Sequence, residues 1–192
     1  MKKDIILSGV GGQGILSIAA VIGEAALAAG LHIKQAEVHG MSQRGGDVHS
    51  DLRISSEPVH SDLIARGGAD LIISLEPMEA LRYLPWLAKD GWVVANRAPF
   101  VNIPNYPDHG ALLAELRALP RAIVLDVERA AAEAGVARAA NIVLLGAASA
   151  VLELDYGALR LAVGKVFGRK GDAVVKMNLK ALEIDRGAAE RI

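Results

Sequence analysis

Apolar residues along this chain fall into short continuous runs that read as strands and longer stretches at helical spacing. Ile5-Ile6-Leu7 is the first run, stopping at Ser8 and Gly9, and it reads as a buried strand. A helix is expected from about Gln13 to Ala29, closed by Gly30. His32 to Val38 reads as the second strand, so residues 4–38 are expected to form a βαβ unit. From Asp47 to Ile54 the pattern alternates. Val48, Ser50, Leu52 and Ile54 share one face, and Asp47, His49, Asp51 and Arg53 share the other. The alternation predicts a half-exposed strand, antiparallel or at an edge, with its charged face solvated or interfacial.

Ala69 to Leu75 is the next expected strand, and Glu76-Pro77 opens a helix to about Leu87, with proline in the first turn. Further strands are expected at Trp92–Ala95 and Ile123–Val127. Between them lie a Pro- and Asn-rich loop, Asn96–Gly110, and a helix, Ala111–Leu119. Four alanine-rich helices follow, at about 127–134, 141–154, 156–166 and 172–189, with no strand signal after about Ala137. The order predicts an α/β fold: a Rossmann-like, mostly parallel sheet with helices on both faces and a helical C-terminal appendage. One domain is expected over residues 1–192, with a sheet core at 1–137 and the appendage at 138–192.

Composition narrows the function. The chain is 52% hydrophobic but only 4% aromatic, so its apolar mass is aliphatic and suits strands under helices. Lys and Arg number 21 against 22 Asp and Glu, a formal net charge of −1, which argues against nucleic acid or an anionic membrane as partner. No apolar stretch is long enough to span a bilayer, and the N-terminus lacks a secretory signature, so a cytoplasmic location is expected. Cysteine is absent, which removes thiolate nucleophiles, Cys-type zinc sites and ligation of an iron–sulfur cluster by this chain. If the protein takes part in redox chemistry, the metal centre must sit elsewhere.

Gly9-Val10-Gly11-Gly12-Gln13-Gly14 fits G-x-G-x-x-G between an expected strand and helix. Such a turn brings backbone N–H groups and a helix N-terminus up to a phosphate or carboxylate. Glu37, near the end of the second strand, stands where a ribose-binding acid would sit in a dinucleotide enzyme. Gln13 has no part in that fingerprint. The most unusual stretch is Glu37-Val38-His39-Gly40-Met41-Ser42-Gln43-Arg44-Gly45-Gly46. Ser42 and Gln43 offer hydrogen bonds, Gly40, Gly45 and Gly46 allow close backbone approach, and Arg44 suits a carboxylate or phosphate. His39, His49 and His60 are too widely spaced for a standard metal pair, so metal binding is not expected. No P-loop, Ser elbow or H-E-x-x-H motif occurs. These residues leave open a dinucleotide-dependent (NAD(P) or FAD) oxidoreductase and a ligand- or protein-binding module without catalysis.

The glycine turn with Gln13, the Glu37-x-His39-Gly40-Met41-Ser42-Gln43-Arg44-Gly45-Gly46 segment and Ser50-x-x-Arg53 together resemble the gamma-type subunits of 2-oxoacid:ferredoxin oxidoreductases. Leu75-Glu76-Pro77-x-Glu79-Ala80-Leu81-Arg82-Tyr83 and Asn141-x-x-x-Leu145-Gly146-Ala147 extend the likeness over nearly the whole chain, nearest to the indolepyruvate branch. The resemblance implies one subunit of a hetero-oligomer that decarboxylates an aryl 2-oxoacid, transfers the acyl group to coenzyme A and reduces ferredoxin. It implies that thiamine diphosphate, Mg2+ and 4Fe-4S clusters belong to a larger alpha subunit, with no cofactor bound by this chain alone. The glycine turn and residues 37–46 would then face the partner's active site or the subunit interface, where Arg44 and the helix start at Gly12 to Gly14 help bind an anionic group.

Overall fold

The computed structural model describes residues 1–40 and 45–187. Its strands are β1 (Lys2–Val10), β2 (His32–His39), β3 (Asp47–Ser55), β4 (Ala69–Ser74), β5 (Leu87–Asn96) and β6 (Ala122–Leu125). They form one six-stranded sheet in the order β2-β3-β1-β4-β5-β6. β1, β4, β5 and β6 pair in parallel, whereas β3 is antiparallel to both β1 and β2. The expected mostly parallel α/β sheet is therefore present. The two strands of the first βαβ unit run the same way but are not neighbours, because β3 lies between them.

That insertion corrects the reading of β3. The strand is antiparallel, as its alternation predicted, but it is neither an edge nor half-exposed; β2 and β6 are the edges. Its charged face is largely consumed by the protein. Arg53 donates from Nε and Nη2 to the buried Asp4 carboxylate at 2.8 and 3.1 Å. The buried Asp51 carboxylate accepts the Ile64 N–H at 3.0 Å. Alternation reports two unlike faces; it does not say that the polar one is wet.

The helices are α1 (Ile15–Ala28), α2 (Pro77–Arg82), α3 (His109–Ala118), α4 (Val127–Glu133), α5 (Ala140–Leu152), α6 (Tyr156–Phe167) and α7 (Asp172–Glu183). α2 stops earlier than the expected Leu87. A 3-10 turn at Leu84–Trp86 follows, and β5 begins at Leu87. Pro85 disfavours helical geometry at Leu84 and cannot donate a helix hydrogen bond, which accounts for the break. β6 ends at Leu125 because Asp126 caps α4, accepting the Arg129 N–H at 3.1 Å. α7 ends at Glu183 rather than 189, and residues 188–192 lie outside the described residues.

Both faces of the sheet are covered. Ile5, Leu7, Leu52, Ile54, Leu71 and Ile73 pack with α1 and the C-terminal helices, while Ile6, Ile72, Val93 and Ala95 pack with α2 and α3. Strands buried on both faces lose polar positions, which explains the unbroken run Ile5-Ile6-Leu7. α5 is apolar all round, with Ile142 to Leu145 fully buried, and it packs on β4 and β5 beneath α7. Among the described residues no helix is long and apolar enough to cross a membrane.

Candidate functional site

After β1 the chain turns through Gly11 to Gly14 into α1. Gln13 braces this turn. Its Oε1 accepts the Val10 N–H at 2.7 Å and its Nε2 donates to the Leu75 carbonyl, just past β4, at 3.0 Å. That carbonyl takes a second bond from Asn96 Nδ2 at 3.3 Å. On the other side, Asn141 at the start of α5 donates from Nδ2 to the Gly14 carbonyl at 3.0 Å. Both polar atoms of the Gln13 side chain are thus bonded to backbone, bracing the turn from within.

Two glycines meet different demands here. Gly14 has φ +89°, and a Cβ there would stand 2.8 Å from Asn141 Nδ2. Gly12 has φ +104° with open space around it. The first allows close packing and the second keeps the outer wall clear. α1 begins without a side-chain cap or an acidic residue in its first turn. Its N-terminal partial positive charge therefore stays available to an anion. Above it lies a hollow of about 270 Å³, walled by Gly11, Gly12, Gly14, Leu16, His39 and Val48. A hollow of about 720 Å³ lies among the C-terminal helices and one of about 580 Å³ between them and the end of α1, and neither is lined by a sequence-expected site residue.

The structure brings the ends of the second motif to this turn. The Gly11 N–H donates to the Gly46 carbonyl at 2.9 Å, and the Gly45 N–H donates back to Gly11 at 3.3 Å. The Gly40 N–H donates to the Asp47 carbonyl at 3.2 Å, and Asn102 donates to the Gly45 carbonyl. His39, at the end of β2, lines the hollow across Val48. Glu37 does not meet the glycine turn. Its carboxylate accepts Gln35 Nε2 at 2.7 Å and lies 3.2 Å from His39 Nε2. With β3 in between, its strand is two spacings, roughly 9–10 Å, from β1. A ribose-binding acid would stand on the strand beside the glycine turn, so the topology removes the basis of the dinucleotide reading. Met41, Ser42, Gln43 and Arg44 lie outside the described residues.

A second polar cluster occupies the opposite face at the same end of the sheet. Glu76 caps α2, its Oε2 accepting the Glu79 N–H at 2.9 Å, while its Oε1 accepts the Phe100 N–H at 3.3 Å and the Tyr106 hydroxyl. Arg82 Nε donates to Glu79 at 2.8 Å. The Tyr83 hydroxyl is 3.1 Å from Asp47 Oδ2 and 2.7 Å from His49 Nδ1. Burial pushes the Glu79 carboxyl up to about 7, and Asp47 beside it adds to the rise against the pull of Arg82. The sequence reading gave no site role to Asn96, Asn102, Glu79 or Tyr83. Glu79 and Tyr83 stood out only as members of the Leu75-Glu76-Pro77-x-Glu79-Ala80-Leu81-Arg82-Tyr83 stretch that carries the resemblance. Among the described residues no group of His, Asp and Glu side chains could hold a metal ion.

The chain matches the profile described as Pyruvate ferredoxin/flavodoxin oxidoreductase over residues 4–188. It is 37% identical over 193 residues to the Indolepyruvate oxidoreductase subunit IorB of Archaeoglobus fulgidus, covering 96% of this chain and 94% of that protein. The gamma subunit of a keto/oxoacid ferredoxin oxidoreductase from Geobacter sulfurreducens superposes with a TM-score of 0.70 at 25% identity, covering 99% of each chain. A 2-oxoglutarate:ferredoxin oxidoreductase from Magnetococcus marinus, solved with 2-oxoglutarate, coenzyme A and succinyl-CoA bound, shares the fold at TM-score 0.78 and 23% identity. The match covers 100% of this chain and 31% of that one.

Proposed function

The chain belongs to the pyruvate ferredoxin/flavodoxin oxidoreductase family, and on that footing we propose that it is the small subunit of an indolepyruvate-type 2-oxoacid:ferredoxin oxidoreductase. The observation that carries this reading is the end-to-end likeness to an indolepyruvate oxidoreductase subunit. The complex releases CO2 from an aryl 2-oxoacid, passes the oxidised acyl carbon to the thiol of coenzyme A and sends an electron pair to ferredoxin.

This chain has no cysteine and, among the described residues, no metal-holding cluster. Without cysteine it cannot ligate an iron–sulfur cluster, and we assign the clusters, thiamine diphosphate and its Mg2+ to a larger alpha subunit in the cytoplasm. Its own contribution is the hollow over the start of α1. A phosphate of coenzyme A placed there meets the helix N-terminus, the open backbone at Gly12 and the His39 side chain.

The test is co-expression with the larger subunit. Turnover of indolepyruvate, with dependence on coenzyme A, is expected only when both chains are present. Normal turnover without this chain removes the proposal, and saturable binding of NAD(H) or NADP(H) revives the dinucleotide alternative. Arg44→Ala is expected to leave the chain folded, shifting stability by less than about 0.5 kcal/mol, and to lower turnover of the assembled complex. Unchanged turnover and unchanged coenzyme A dependence remove Arg44 from the site.

A further inference from the structure

We propose that Tyr83 is a positioning residue for the glycine turn, acting through Asp47 across β3 from the face opposite the hollow. The proposal rests on the reading of that hollow as a ligand site. Tyr83 ends α2, with its side chain only 6% exposed. Its ring lies against His49 and Trp86, with centroids 4.8 and 5.7 Å apart. Packing thus fixes the ring and aims its hydroxyl at the first residue of β3.

From there the connection is continuous. The hydroxyl donates to Asp47 Oδ2 at 3.1 Å, with His49 Nδ1 at 2.7 Å from the same oxygen. One hydroxyl has one proton, so donation to Asp47 leaves its oxygen to accept from His49. Burial, and then the Asp47 and Glu79 carboxylates, hold the phenol protonated and keep it a donor. The Asp47 carbonyl takes the Gly40 N–H, and the adjoining Gly46 carbonyl takes the Gly11 N–H at 2.9 Å. Asp47 pairs with Val10, the last register step between β1 and β3, so the Gly11 bond extends the ladder into the turn itself. A shift of Asp47 is passed to Gly46 and then to Gly11, a wall of the hollow. A phenylalanine would pack the same space but remove the hydroxyl, leaving Asp47 held on this face by Glu79 alone.

The test uses Tyr83→Phe in the full chain and in the co-expressed complex. Amide exchange of Gly11 in the full chain is expected to quicken about tenfold, the scale of one lost hydrogen bond. Exchange at Ile6 and Ile72 in the sheet centre should stay unchanged. In the complex the KM for coenzyme A is expected to rise several-fold with kcat nearly constant. Asp47→Ala, at an exposed position, is the second variant should Tyr83→Phe fail to fold. It should reproduce the Gly11 change, and Asp47→Asn, which still accepts from the hydroxyl, should recover most of it. The double variant Tyr83→Phe/Asp47→Ala should be no worse than either single change. Unaltered Gly11 exchange in both single variants overturns the proposal. Faster Gly11 exchange with an unmoved KM supports Tyr83 as the anchor and counts instead against coenzyme A as occupant of the hollow.

Discussion

Two regions share the carboxyl end of the parallel strands and use polarity in opposite ways. On the α1 face, the glycine turn bears no charged side chain; its polar side chains, Gln13 and Asn141, point inward and hold backbone. What faces the hollow, among the described residues, is a helix N-terminus, exposed peptide and the side chains of Leu16, His39 and Val48. On the α2 face, Asp47, Glu79, Arg82, Tyr83 and His49 crowd together and bond to one another. No buried side-chain N or O is left unpartnered among the described residues. Among the described residues, density of charge therefore marks the scaffold, and the glycine turn of the open site draws its field from the helix.

The comparison breaks most severely at Gly14. Gly14→Ala forces an L-residue to φ +89° and drives its Cβ to within 2.8 Å of Asn141 Nδ2. Left-handed strain of about 1–2 kcal/mol combines with loss of the Asn141 bond, about 1 kcal/mol. A fall in stability of about 3 kcal/mol is expected from chemical denaturation. A change under about 1 kcal/mol would mean that the turn relaxes freely and is not braced.

Gln13→Ala is the next step down. It leaves the Val10 N–H without its side-chain acceptor and removes one of two donors from the Leu75 carbonyl. The expected cost is about 1–3 kcal/mol, read in the same unfolding experiment. If Gln13 were instead a ligand group, the variant would lose coenzyme A dependence at full stability.

The two regions were unequally legible in the sequence. Local pattern carries the first: an apolar run, glycines at 9, 11, 12 and 14, and a helix period place β1, the turn and α1 within a short stretch. The second depends on pairs far apart in the chain, with Tyr83 and Asp47 separated by 36 positions. Period-two alternation named the faces of β3 correctly, but it carries no information on which strands flank it. That omission moved the edge from β2 to β3 and made Asp51 and Arg53 look solvated. For the same reason Glu37 looked like a ribose ligand, since nothing local shows β3 standing between its strand and β1. The α2 break was more accessible, because Pro85 is in plain view.

The last contrast is drawn by pH. Glu79 titrates near 7 in the folded chain and near 4.5 when free. Between those values the folded chain holds a proton that the unfolded chain has released, so stability falls as pH rises through the window and levels above it. Glu79→Gln cannot ionise, so it should flatten that slope, although Arg82 loses its ionic partner. Asp47→Asn, by removing the adjacent negative charge, should move the fall to lower pH without abolishing it. Thermal unfolding at pH 5.5 and pH 8 separates the cases. A wild-type drop that persists undiminished in Glu79→Gln assigns the titration to another group. A drop that vanishes there but survives in Gln13→Ala localises the proton to the α2 face, leaving the glycine turn as a site whose geometry, but not its charge, is set by its neighbours.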